Sequence, residues 1–168
     1  DTRFKNPDDQ RFVMTPDQFA AAMAGLGIDD DTFIVCYDQA STSAGRLWWA
    51  LKYYGHERVR VLNGGWNQWV AERRPISLEP RRRTTAKPFT PRADASLLAT
   101  ADQVLERIGD PNVVIWDVRS VAEWNGSNTR GNRRQGHIPG SVHTDWVNSL
   151  TTDENRCWRP ADELREEL

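Results

Sequence analysis

The sequence predicts an α/β fold built on a parallel sheet, and two observations carry that expectation. Short β-branched and aromatic runs without clean alternation recur along the 168 residues, as strands covered on both faces do. Between them lie segments with helix-start signals and apolar residues at helical spacing, so strand and helix alternate.

The first start signal is Thr15-Pro16-Asp17-Gln18, with Thr15 as N-cap, Pro16 at the first helical position and Gln18 in capping-box spacing. Phe19, Met23 and Leu26 then repeat at helical spacing up to Gly27. The run Thr32-Phe33-Ile34-Val35-Cys36-Tyr37 reads as a strand buried on both faces, ending at Asp38. A small polar stretch leads into a helix carrying Leu47, Trp48, Leu51 and Tyr54, which Gly55 ends in a left-handed conformation. Val59 to Leu62 is the next strand, and after Asn63-Gly64-Gly65 comes a helix bearing Trp66, Trp69 and Val70.

From Arg73 to Pro91 the composition shifts to Pro, Arg and Thr, which marks a surface linker. Beyond it, Thr100-Ala101-Asp102-Gln103 repeats the capping-box pattern ahead of Val104, Leu105 and Ile108, and Gly109-Asp110-Pro111 breaks that helix. Val113 to Trp116 is another buried strand, ending at Asp117. A polar loop follows, then Gly136 to Val142, and a last helix start stands at Pro160 to Leu164. Thr15 to Phe19 and Pro160 to Leu164 share a proline-led, acid-bearing start, as two copies of one element would.

Composition narrows the function. A net charge of −2 with mixed signs leaves Arg81-Arg82-Arg83 as the dense basic cluster, which argues against nucleic acid as a partner. No apolar stretch reaches the roughly 18 residues of a membrane span, and the first residues lack the apolar centre of a signal peptide, so a cytoplasmic protein is expected. The two cysteines, Cys36 and Cys157, match neither a zinc-ligand nor a redox spacing and read as reduced thiols, with no metal or cofactor implied.

Two groups of residues are specific enough to indicate a family. Val113 to Ser120, then Glu123-Trp124-Asn125-Gly126, then Gly136-His137-Ile138-Pro139-Gly140-Ser141, resemble the first half of a rhodanese domain. Ile34 to Asp38, Arg46-Leu47-Trp48-Trp49, Gly55-His56, and Val59 to Trp66 resemble the second half. The Arg-Leu-Trp-Trp form is similar to the first, non-catalytic domain of tandem thiosulfate and mercaptopyruvate sulfurtransferases. The resemblance implies that residues 1–78 are the C-terminal half of one domain, 79–96 a linker, and 97–168 the N-terminal half of a second.

For function, the resemblance implies sulfane-sulfur transfer from thiosulfate or a related donor to a thiophilic acceptor through a cysteine persulfide. The nucleophile position is occupied by Asp38, and the loop Asp38, Gln39, Ala40, Ser41, Thr42 and Ser43 is a pseudo-active loop. Because a carboxylate caps a helix but holds no transferable sulfur, this chain alone is expected to be inactive. The alternative is a non-catalytic rhodanese-like binding or regulatory module. Cys36, two residues earlier, reads as a small buried apolar residue. Arg119, Arg130, Arg133, Arg134 and His137 are the candidate substrate-side residues; a scaffold role for Arg119 and His137, and a solvated loop for the other three, are the plainer readings. Glu123 stands where tandem members place a substrate arginine, a departure that weakens any claim for mercaptopyruvate.

The resemblance also implies a parallel sheet of order 1-5-4-2-3 with helices on both faces. Its first strand falls at Pro88 to Thr90 or at Leu97 to Ala99. The half-domains then supply one set of strands in circularly permuted order, either within one chain or in a homodimer that exchanges half-domains. In that arrangement Ile34 to Tyr37 lies beside Val113 to Trp116, with Asp38 and Asp117 at one carboxyl edge.

Overall fold

The structure is a computed structural model and describes residues 5–9, 11–39, 43–80 and 87–167. It divides into two compact units, Asp1–Leu98 with Glu154–Cys157, and Ala99–Asp153 with Trp158–Leu168.

In the first unit, helix α1 (Pro16–Gly25) begins with a reciprocal capping box. The Thr15 hydroxyl accepts the Gln18 N–H at 3.3 Å, and the Gln18 side-chain oxygen accepts the Thr15 N–H at 2.9 Å. Strands β1 (Ile34–Cys36) and β2 (Val59–Val61) pair in parallel, Ile34 opposite Val59 and Cys36 opposite Val61. Helix α2 (Ala44–Tyr53) is the crossover between them, and it ends at Gly55 with φ +80°. With α1 it covers one face of the strands, where Phe19, Met23, Cys36, Leu51, Tyr54 and Val59 form the core. Full burial of each large apolar side chain contributes about 1.5–3 kcal/mol. Helix α3 (Gly65–Ala71) stands on the other face, where its Trp66 and Trp69 share an apolar recess with Val35 and Tyr37. The layering is therefore helix, parallel strands, helix.

The segment expected as a surface linker contains a strap, residues 87–94, that packs on this unit. Phe89 is buried in the core, with its ring edge-on to Phe19 at 5.6 Å. Backbone donors of the strap go to fixed acceptors on either side: Thr90 N–H to Asp30 Oδ1 at 2.8 Å, Arg92 N–H to Tyr54 O at 2.9 Å, and Asp94 N–H to Tyr53 O at 2.8 Å. Gly55 makes room for it, since a Cβ there would lie 3.1 Å from Arg92 O.

In the second unit, helix α4 (Ala101–Glu106) carries the second capping box, between Thr100 and Gln103. Strands β3 (Trp116–Asp117) and β4 (Val142–His143) pair in parallel, joined through helix α5 (Val121–Trp124). Helix α6 (Ala161–Glu167) begins just past Pro160. An antiparallel bridge from Leu150 to Trp158 precedes it, and Leu150 is buried.

Three expectations are corrected. The described strands form two two-stranded sheets, β1 with β2 and β3 with β4, so Ile34 to Tyr37 is not paired with Val113 to Trp116 within the chain. The local crossovers through α2 and α5 satisfy each strand with its nearest partner in sequence, at the smallest loop-closure cost. Neither Pro88 to Thr90 nor Leu97 to Ala99 is a strand, because the strap's N–H groups are spent on Asp30 and Tyr54 and Leu97 sits in a 3₁₀ turn. Nor are the two apolar runs buried on both faces, for Val35 is 50% and Val114 74% exposed. Among the described residues, no helix is long and apolar enough to cross a membrane.

Candidate functional site

The carboxyl ends of β1 and β2 meet at Asp38. Its Oδ2 accepts the backbone N–H groups of Ser43 and of Ala44, the latter at 3.2 Å, so one carboxylate satisfies the opening donors of α2. Ser43, the residue nearest the helix start, makes no side-chain cap bond. The backbone on the other side is fixed by the turn after β2: Asp38 O accepts Trp66 N–H at 2.8 Å and Gln39 O accepts Asn67 N–H at 3.1 Å. Gln39 Nε2 also donates to Asn67 Oδ1 at 2.5 Å. Ala40, Ser41 and Thr42 lie outside the described residues.

The turn depends on Gly64, whose φ of +74° places it in the left-handed region. A Cβ there would fall 2.7 Å from Cys157 Sγ. Cys157 is half-buried, with its sulfur 3.8 Å from Gln68 Oε1, to which it donates. Cys36 is buried in the core, and burial pushes its thiol up to about 11. Near neutral pH it is a thiol, and the thiolate is the nucleophilic form. Neither cysteine is in a disulfide.

The second unit has its own polar centre at the end of β3. Arg119 clasps Asp117 through Nε, 2.9 Å from Oδ1 and 3.0 Å from Oδ2, and through Nη2, 2.5 Å from Oδ2. Nη2 reaches Gly136 O at 2.9 Å as well, which ties the strand end to the Gly136 to Gly140 turn. The hydrogen bond from Arg119 holds the Asp117 carboxyl below its ordinary range. His137 Nδ1 lies 2.9 Å from Trp124 O, and its ring stacks on Trp124 at 4.4 Å. On Trp124 a second imidazole, His143, also stacks, at 5.0 Å, and its Nε2 is 2.8 Å from Arg119 O.

Of the candidate substrate-side residues, Arg119, Arg134 and His137 border one recess of about 610 Å³, together with Asp117 and Ile138. Arg130 is turned to Glu123, 3.4 Å from its carboxylate, and Arg133 does not line the recess. Sequence reasoning missed the His137, Trp124 and His143 stack, because its members are brought together by the α5 turn and by β4 rather than by spacing. Asp38 and its loop belong to the first unit, Asp117 and the arginine-bearing loop to the second. No cluster of potential metal ligands occurs among the described residues.

The rhodanese-like domain family matches residues 4–72 and again 100–168. Among curated proteins, thiosulfate sulfurtransferase of Bos taurus is 37% identical over 149 residues, which is 84% of this chain and 50% of that protein. Sulfur carrier protein TtuD of Thermus thermophilus is 34% identical over 166 residues, 92% of this chain and 58% of that protein. The chain thus spans about half the length of the curated relatives it matches. A crystal structure of the 3-mercaptopyruvate sulfotransferase SseA from Escherichia coli superposes with a TM-score of 0.84 at 25% identity, covering 99% of this chain and 63% of the other.

Proposed function

The chain belongs to the rhodanese-like domain family, matched twice in tandem, and on that premise we propose that its parent activity is sulfane-sulfur transfer from thiosulfate or a related small anionic donor. In that reaction a cysteine thiolate attacks the outer sulfur of thiosulfate and the S–S bond breaks. Sulfite leaves with the bonding pair, and the enzyme is left as a persulfide. A thiophilic acceptor such as cyanide then takes the terminal sulfur and restores the thiolate. The observation that carries the proposal is the identity to thiosulfate sulfurtransferases across 84% of this chain.

In this reading Asp38 stands at the nucleophile position of the first unit, and its cap on α2 makes the loop a structural one. Its carboxylate already holds the N–H groups that would cradle a persulfide sulfur. Cys36 is excluded from the role by burial, and the Cys157 sulfur, beside Gly64 at the start of α3, is engaged as a donor to Gln68 Oε1. On this reading the chain alone is expected not to turn over thiosulfate. A cytoplasmic setting fits the two free thiols. The exposed flank of Val113, Val114 and Trp116 fits a homodimer that exchanges half-domains. A non-catalytic module is the second reading, and the same Asp38 cap favours it.

The test is thiocyanate formation from thiosulfate and cyanide by the purified 168-residue chain. The expected rate is the uncatalysed one. Turnover that vanishes in Cys157→Ser or Cys36→Ser would overturn the assignment of Asp38 to the nucleophile position.

A further inference from the structure

We draw no further inference here: the strongest candidate, the apolar recess of the first unit between β1 and α3 bordered by Val35, Tyr37, Leu62, Trp66, Trp69 and Ile76, is an unpartnered face, and nothing in the structure shows what covers it.

Discussion

The Asp38 carboxylate accepts the Ala44 N–H at 3.2 Å across five intervening residues, so the first strand and the second helix of the chain are joined by a side chain as well as by the loop. Removing that acceptor leaves the opening N–H groups of α2 without it. Asp38→Ala should lower stability by about 1 kcal/mol, the usual cost of losing an N-cap, read as a shift in urea midpoint at unchanged slope. An unchanged midpoint would show that the cap contributes nothing.

The same donors make a second substitution informative. In Asp38→Cys the N–H groups of Ser43 and Ala44 face a sulfur, and they favour its thiolate. The new thiol should titrate below about 8.5, the free-cysteine value, followed by thiolate absorbance in a Cys36→Ser, Cys157→Ser background. An unshifted or raised value would mean that the loop does not act as an anion cradle.

Alkaline stability follows from Cys36. Burial raises its folded pKa to about 11 from an ordinary value near 9. A raised folded pKa contributes stability that is fully present below the unfolded value and is lost as pH rises through the folded one. Unfolding free energy should therefore fall between about pH 9 and pH 11, and Cys36→Ala should flatten part of that fall. Tyr54, pushed up to about 12 chiefly by burial, extends the decline at the alkaline end.

Much of this was legible in the residues. Both capping boxes, the parallel strand and helix order, and the stop at Gly55 follow from local signals, because caps and left-handed turns are decided within a few residues. Partner choice was not legible. Val113 to Trp116 has the composition of a fully covered strand, yet the paired strand begins only at Trp116, opposite Val142, with Ile115 O accepting the Val142 N–H at 2.9 Å. Composition reports what a strand is suited to, and pairing depends on what else is present. The seat of the strap was hidden for a similar reason: Asp30 and Tyr54 are distant in sequence, and the strap's N–H groups join them.

The clasp between Asp117 and Arg119 gives an acid-side prediction. The Arg119 hydrogen bond lowers the Asp117 pKa, so its contribution is present above the ordinary carboxylate value and is lost as pH falls through the folded one. Arg119→Lys keeps the charge but loses the forked geometry and the bond to Gly136 O. Because Arg119 is part-exposed, the cost should be roughly 1 kcal/mol. Near-ultraviolet dichroism of Trp124 should weaken with it, since the Gly136 turn carries the stacked His137. Retention of that signal would show that the stack does not depend on the clasp.

The strap offers the sharpest test of the first unit. A run rich in Pro, Arg and Thr reads as linker because it holds so few large apolar residues, but Phe89 alone is enough to seat it. Its ring fills the space between Phe19 and His56, at 5.6 Å from each. Phe89→Ala removes that ring from a closed core and should cost about 3–5 kcal/mol, the transfer loss plus a residual cavity. Without the anchor, the Arg92 and Asp94 N–H groups lose their hold on Tyr54 O and Tyr53 O, so hydrogen exchange at those two amides should accelerate well before that of Val59 in the strand. Phe89→Leu, which refills most of the volume, should restore most of the protection. Exchange at Arg92 and Asp94 that is as fast in the parent chain as in Phe89→Ala would mean that the strap is not seated in solution.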